Sequence, residues 1–410
     1  MEVTYLRCCG LDIHKKLVVA CAITPGPDGQ PHKEVQKFGT MTQDLLALSD
    51  WLTGLAVTHV AMESTGVYWK PLYNLMEASF TLLLVNAQHI TVVPGRKTDV
   101  KDCEWIADLL RHGLLQASFV PDQPQRELRE LLRYRTRLIQ QHSAEVNRVQ
   151  AILEGANLKL ASVVTDIQGV SAQAMLRALV AGETDPVSLA ALAKGRLRAK
   201  IPQLQQALAG RFGPHQRFML AEALGHLDFL EEAVERLSAE VTTRMVPCEA
   251  ELQRLDTIPG VNRRTAETFV AEAGTDMHRW PTSGHFASWI AICPGNNESA
   301  GKRHSGRTRH GNQALRAALT EAGQAAGHTK DSYLGAQYRR LARRLGPKKA
   351  ALAVGHSIAI IAYFLLQDST STYTDLGPDY FERRNREAAT RRHVQQLQAM
   401  GYSVTLEKVA

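Results

Sequence analysis

Four carboxylic acids near the start of the chain occupy positions where acids are either unusual or paired. Asp12 and Glu63 each follow an apolar β-like run, in the segments GLDI and VAME. Strand positions disfavour acids, because a charged group is costly in a sheet core. Asp99 and Asp102 lie three residues apart in RKTDVKD, at the start of a predicted helix, so they share one helical face.

Together these acids would form a set of hard oxygen ligands suited to Mg²⁺ or Mn²⁺. Two such ions about 3.5–4 Å apart can activate a nucleophile and stabilise the leaving oxygen of a phosphodiester. Four converging carboxylates repel one another, so their convergence implies a cation. Each acid alone also has a structural interpretation, as a strand end, a solvated loop residue or a helix cap; the combination favours the metal site.

A serine among small and basic residues forms a second candidate site. Ser299 lies in CPGNNESAGKRHSGR, ahead of a helix that begins near Asn312. Residues 301–350 hold 12 Lys or Arg against two acids, whereas the whole chain carries only +7. Such a concentration of charge fits a polyphosphate surface. A serine beside cations can attack phosphorus, although many serine-rich loops are only loops; Ser305 is the reserve candidate.

Hydrophobic patterning predicts the elements that position the acids. Residues 4–24 and 34–38 read as three antiparallel strands, with a turn at 26–29. Alternating helices and short strands follow, the last strand at 81–85 and the last helix from about 100 to 112. This order predicts an α/β domain with a mixed sheet.

The remaining chain is predicted to be mainly helical. Apolar residues recur every three, four or seven positions over about 124–153 and 220–245, which indicates long coiled-coil-like helices. Three packings are consistent with this pattern: the helices pack on each other, on a second subunit, or as ordinary bundle helices within one chain. The segment LDTIPGVNRRTA resembles a helix-hairpin-helix, which can offer backbone N–H groups to a phosphate. We divide the chain into regions 1–123, 124–250, 251–367 and 368–410, the last a peripheral tail.

Composition limits the class of protein. The chain has 410 residues, 44% of them hydrophobic and 22% charged, which is typical of globular domains. Six cysteines without a CxxC pair fit a reduced cytosolic compartment. The N-terminus does not resemble a signal peptide, and the longest apolar stretch, about 358–366, is too short to span a bilayer. We therefore expect a cytoplasmic protein without a membrane partner.

Three motifs, GLDIHK, ESTGVYW and GRKTDVKD, resemble those of the RuvC-like DEDD insertion-sequence transposases, the IS110 family of bridge-RNA-guided recombinases. Asp12, Glu63, Asp99 and Asp102 fall where that family carries its four acids. The segment GNQALR matches the family's Gly-Asn-x-x-Leu-Arg element, and Ser299 is the matching upstream serine. Ala300 stands where a glycine is usual. The resemblance spans about residues 5–365.

The resemblance implies a RuvC/ribonuclease-H-like N-terminal domain, long coiled-coil-like helices and a mainly helical C-terminal transposase domain. It implies that Ser299 forms a covalent phosphoserine with DNA while the four acids bind Mg²⁺ or Mn²⁺, in a composite site formed between subunits. A structured noncoding RNA would pair with donor and target DNA. The protein would be a homo-oligomer, dimer or tetramer, at the nucleoid of a prokaryote. The expected nucleic-acid-binding residues are Lys302, Arg303, Arg307, Arg309, Asn312 and Arg316.

Two other functions fit some of these residues. A stand-alone junction resolvase or nuclease would use the acids and water, and would form no protein–DNA adduct. A degenerate transposase would only bind RNA or DNA as a scaffold. The presence of all four acids together with the serine argues against decay.

Overall fold

The computed structural model describes residues 2–27, 29–64, 66–86, 102–295, 297–299 and 301–407, with the backbone alone for 297–299, 303–305, 385 and 387–389. The chain divides into two compact units, residues 1–123 and 124–410.

A five-stranded mixed sheet forms the centre of the first unit. Its strands, β1 to β5, are Cys8–Ile13, Val18–Pro25, Pro31–Phe38, His59–Glu63 and Thr81–Val85. The order across the sheet is β3-β2-β1-β4-β5. β1 and β3 are antiparallel to β2, whereas β1, β4 and β5 are parallel to one another. The predicted α/β domain with a mixed sheet is therefore confirmed.

Helices cover both faces of this sheet. Within the described residues of the first unit the helices, α1 to α3, are Thr42–Gly54, Trp69–Met76 and Asp102–Arg111. Leu11 and Met62 face α1 and α2 in one apolar cluster. Cys8 and Ala61, on the alternate positions of the same strands, face α3 in a second cluster. Burial on both faces explains why β1 and β4 read as nearly continuous apolar runs.

Gly10 lets α3 approach the middle of β1. A Cβ at position 10 would lie 2.4 Å from the backbone nitrogen of Ala107 and 2.4 Å from the carbonyl oxygen of Cys103. We expect Gly10→Ala to lower the free energy of unfolding of the first unit by about 1–3 kcal/mol, because α3 must move off the sheet. Urea unfolding followed by circular dichroism measures this change. Gly54→Ala is the control, since a Cβ there meets nothing within 4 Å; equal stability of the two variants would contradict the argument.

The regular structure of the second unit, where it is described, is helical apart from one hairpin. Its helices, α4 to α16, are Gln123–Gly155, Leu160–Val163, Val170–Ala181, Pro186–Ala191, Ile201–Leu208, Pro214–Arg244, Glu249–Asp256, Arg263–Ala273, Ser283–Ile290, Gln313–Ala326, Tyr333–Leu345, Pro347–Gln367 and Tyr380–Ala399. Its two strands, β6 and β7, are Asn297–Ser299 and Lys302–Ser305, and they pair with each other. The sequence predicts a loop at this hairpin, because its short polar strands lack apolar alternation.

The two long helices, α4 and α9, pack antiparallel on each other within the chain. Leu138 of α4 meets Leu230 and Ala233 of α9 in a small apolar cluster. Three ion pairs join the helices, and their residue numbers rise along α4 while they fall along α9, as an antiparallel register requires. The pairs are Glu127 with Arg244, His142 with Glu231, and Glu145 with His226. Of the packings left open by the sequence, the structure contains the intrachain one.

Residues 156–213 form a helical cap at the far end of this hairpin, built from α5 to α8. Its core joins Leu160, Leu176, Leu189 and Leu204 to the adjoining ends of α4 and α9. The sequence had indicated small helices here, and the structure contains them.

Helix α15 forms the core of the C-terminal part. Val354, Ile358 and Tyr363 are buried, and the Tyr363 hydroxyl donates a hydrogen bond to the carbonyl oxygen of Trp280 at 2.9 Å. The helix has 21 residues and is long and apolar enough to cross a membrane, but more than half of its apolar window is buried within the fold. The predicted apolar stretch at about 358–366 is the second half of this longer helix, and the burial is typical of a core helix.

The segment after residue 368, predicted as a peripheral tail, contains a helix, α16. The Phe381 ring stacks on Tyr333 of α14 with ring centroids 5.2 Å apart. The Arg340 guanidinium lies 5.0 Å from the same Phe381 ring. The first turn of α16 is thereby attached to the second unit, although its polar sequence gave no apolar pattern.

Candidate functional site

Asp12 and Glu63 lie at the carboxyl ends of two neighbouring parallel strands. The β1–β4 register ends with Leu11 opposite Met62. Continuing it by one residue places Asp12 beside Glu63, and side chains in register on parallel strands share a face. Because Leu11 faces α1 and α2, the two carboxylates lie on the α3 face. Asp12 is 9% exposed, and its Oδ2 lies 3.1 Å from Nε2 of His14.

The third acid, Asp102, is the first residue of α3, the helix that packs on this face. Burial raises the pKa of the adjacent Cys103 thiol to about 11, and the charges of Glu104 and Asp12 add to that rise. The Asp12 carboxylate is therefore within electrostatic range of the first turn of α3. Asp99 lies outside the described residues, so its position relative to these acids stays a prediction.

The donor set on this face consists of carboxylates rather than thiolates. Burial raises the pKa of Cys8 and of Cys21 to about 12, so both thiols stay protonated at neutral pH and are poor metal ligands. Apart from the His14 imidazole beside Asp12, the remaining ligands are hard oxygens, which fit Mg²⁺ or Mn²⁺ in kind. Within the described ranges, no three His, Cys, Asp or Glu side chains are close enough to hold a metal ion.

Ser299 ends strand β6, directly before the turn of the hairpin. Its backbone pairs in register with Lys302. Gly301 has φ of +75°, a left-handed conformation that glycine adopts without steric cost. The serine thus stands at the tip of a short hairpin, next in register to a lysine whose side chain is exposed. Ser305, the reserve candidate, ends β7 at the open end of the same hairpin.

Hydrogen bonds of the GNQALR segment, residues 311–316, hold the chain that follows this hairpin against the helical core. Asn312 is the N-cap of helix α13, and its Oδ1 accepts a hydrogen bond from the Leu315 backbone at 3.0 Å. The Arg316 Nη1 donates to the carbonyl oxygen of Arg309 at 3.0 Å and to Thr308 Oγ1 at 3.2 Å. Near the other end, the Gly295 N–H donates to the Arg307 carbonyl at 3.0 Å.

The cations around the hairpin differ in what they contact. Lys302, Arg307 and Arg309 are exposed. Nη2 of Arg309 donates a hydrogen bond to Ser288 Oγ at 2.5 Å. Only the backbone of Arg303 is described. The helix-hairpin-helix prediction is matched in outline by α10 and α11, but Arg263 at the start of α11 binds the carboxylates of Glu249 and Glu267.

Two segments of the chain match models of one transposase family. The first model describes a DEDD transposase of the IS110 type and matches residues 9–158. The second describes the transposase IS116/IS110/IS902 family and matches residues 252–339. The chain belongs to the IS110 family of insertion-sequence transposases. It is therefore a DNA transposase, with DNA as its partner, as the sequence motifs predicted.

Named relatives of this transposase agree with the family. A probable family 20 transposase of Pseudomonas aeruginosa is 25% identical over 328 residues, covering 78% of this chain and 87% of the relative. The transposase for insertion sequence element IS1111A of Coxiella burnetii is 24% identical over 320 residues, covering 77% and 79%.

A buried glutamate links the serine region of the transposase to its long helix α4. The sequence patterns did not predict a functional role for this residue. Glu272 of α11 is 1% exposed. It accepts two hydrogen bonds from Arg133, at 2.7 and 2.8 Å, and one from Asn312 Nδ2 at 2.7 Å. The hydrogen bonds to Glu272 raise the pKa of Arg133. Because Arg133 and Glu272 are 139 residues apart, no local pattern could have predicted the pair.

Proposed function

We propose that this transposase cuts and rejoins DNA through a covalent phosphoserine at Ser299, while Asp12, Glu63, Asp99 and Asp102 hold Mg²⁺ or Mn²⁺. The observation that carries the proposal is the placement of Asp12 and Glu63 at adjacent strand ends under α3, which begins at Asp102. The strand order β3-β2-β1-β4-β5, with β2 antiparallel, supports the RuvC/ribonuclease-H-like fold that the resemblance implied.

In the proposed step, the Ser299 hydroxyl oxygen attacks the scissile phosphorus. A bond forms between Oγ and phosphorus, and the bond from phosphorus to the 3′ oxygen breaks. The serine gives up its proton and the departing 3′ oxygen gains one, so one phosphodiester is exchanged for one phosphoserine ester. A bound divalent ion would neutralise charge on the phosphate and on the leaving oxygen. Conserving the bond allows a later hydroxyl to reverse the step and rejoin the strand.

Cationic residues of the serine hairpin and the segment after it would hold the DNA backbone. We assign this role to Lys302, Arg303, Arg307 and Arg309, because phosphate contacts fix the register of a nucleic acid on a protein. For Asn312 and Arg316 we propose a positioning role instead. Their side chains already bind Glu272 and the 308–309 segment, which supports a function in shaping the hairpin.

The family resemblance supports three further parts of the proposal. A structured noncoding RNA would choose donor and target sites by base pairing, and the protein would act as a homo-oligomer at the nucleoid of a prokaryote. Region 1–123 would supply the metal chemistry, region 251–367 the serine chemistry, and region 124–250 a helical linker.

A strand-exchange assay tests the whole proposal. Donor DNA, target DNA, Mg²⁺ and RNA transcribed from the flanks of the element are mixed with the protein, and joined products are detected by amplification across the new junction. We expect joined product only when the metal and the RNA are both present. Joining without the RNA would overturn the guidance proposal. Cleaved DNA without joining, under all conditions, would favour the rival metal-dependent nuclease that uses water.

A further inference from the structure

A stretch of the helical cap has an unusual charge composition. Residues 186–221 contain six Lys or Arg and no Asp or Glu. Acids make up 41 of the 410 residues of the chain, so about four would be expected in a stretch of this length. Four of the six cations fall within seven residues, Lys194-Gly195-Arg196-Leu197-Arg198-Ala199-Lys200, which form a 3₁₀ helix and the residue before it.

These cations lack the acidic partners that other cations of the same region have. Arg177 binds Asp228, and Lys159 binds Glu154. Across the described parts of the chain, no carboxylate lies within ion-pair distance of Lys194, Arg196 or Lys200, and all three are exposed. Like charges held together without counterions repel one another, so this arrangement favours binding of an anion.

The fold gathers three of the cations around one cavity. Lys194, Arg196 and Lys200 line an open cavity of about 560 Å³ on the helical cap. The Lys194 N–H donates to Ser171 Oγ at 2.9 Å, and Leu197 packs against the core of the cap, so the backbone that carries the cations is fixed. Asp166 is the one acid in its described lining, and it accepts a hydrogen bond from the Gln168 backbone.

We propose that this basic cavity, lined by Lys194, Arg196 and Lys200, is a further binding site for the phosphate backbone of a nucleic acid. It lies outside both segments that match the transposase family, residues 9–158 and 252–339. No aromatic side chain is part of its described lining, so bases have nothing to stack on and recognition is of the backbone, independent of sequence. DNA and RNA share this chemistry, and the experiment separates them.

The test compares two variants of the full chain with the same change of charge. The site variant is Lys194→Gln/Arg196→Gln/Lys200→Gln. The control variant is Arg177→Gln/Arg236→Gln/Arg244→Gln, which removes three arginines already paired with Asp228, Glu232, Glu127 and Glu240. Fluorescence anisotropy measures binding to a random 30-base-pair DNA duplex and to a structured RNA of unrelated sequence, across a series of salt concentrations.

The slope of log affinity against log salt reports the number of phosphate contacts. We expect the site variant to lose about one unit of slope per lost contact, up to about three units, and the control variant to keep the wild-type slope. A loss with the duplex alone, with the RNA alone or with both identifies the ligand and supports the site. Equal slopes for the two variants with both probes would overturn the proposal. Circular dichroism melting checks that the variants are folded.

Discussion

Asp12→Asn is expected to abolish DNA strand cleavage while DNA binding stays as in the wild type. The substitution keeps the shape of the side chain and the β1 strand, but it replaces an anionic ligand with a neutral amide. Loss of a ligand should cost more than the 10–100-fold typical of outer-shell partners, so cleavage should fall by more than about 100-fold. Cleavage of labelled element-end DNA on denaturing gels measures the rate, and anisotropy measures binding.

The first unit offers a matched control for this variant. Asp108 lies on α3 and pairs with Lys33 at 2.6 Å, and the two side chains are about one-third exposed. Asp108→Asn removes one negative charge from the same unit and costs at most about 1 kcal/mol, as partly exposed pairs do. Its cleavage rate should match the wild type. If Asp12→Asn cleaves as fast as Asp108→Asn, the metal assignment is wrong.

The second large effect is expected at the contact between Asn312 and Glu272. In Asn312→Asp, the new carboxylate still accepts the cap hydrogen bond from Leu315, because Asp and Asn are equally good N-caps. It also places a second negative charge where an amide now donates to Glu272 at 2.7 Å. We expect unfolding free energy to fall by about 1.5–3 kcal/mol, the range for hydrogen bonds to charged groups, and strand cleavage to fall with it.

A reciprocal substitution separates this contact from a general loss of stability. In Glu272→Gln/Asn312→Asp the glutamine amide donates to the new carboxylate, which restores a hydrogen bond of opposite polarity. The glutamine oxygen still accepts from Arg133 Nε, while the bond from Arg133 Nη2 to the former Oε2 is lost. We expect the double variant to cleave DNA faster than Asn312→Asp alone, measured at a temperature where all variants are folded. A double variant no better than the single one in both stability and cleavage would refute the positioning role of Asn312.

The regular elements of the first unit were predictable from sequence because buried strands and helices show a pattern of apolar residues in the local sequence. Strands β1 and β4 are buried on both faces, so they read as apolar runs that end in Asp12 and Glu63. That the two acids become neighbours follows from the parallel register, which the order of strands and helices already suggested. The pattern also gave the long helices α4 and α9, but their pairing depends on contacts up to 117 residues apart in sequence.

The sequence patterns did not predict the features that polar contacts stabilise. Strands β6 and β7, Asn-Glu-Ser and Lys-Arg-His-Ser, have no apolar alternation, and only the Ala-Gly pair between them hints at a turn. Glu272 lies in a helix where a polar residue would normally face solvent; it is buried because Arg133 and Asn312 satisfy its oxygens. Such partners come from distant parts of the chain and leave no periodic trace.

A covalent bond between Ser299 and DNA distinguishes the proposed recombinase from a nuclease that uses water. Labelled element-end DNA is incubated with Mg²⁺, RNA from the element's flanks and the wild type, Ser299→Ala or Ser305→Ala, the last being a matched serine in the same hairpin. The products are run on denaturing gels with and without protease. We expect a protease-sensitive DNA adduct with the wild type and Ser305→Ala and none with Ser299→Ala. Cleaved DNA without an adduct in any of the three proteins would contradict this expectation.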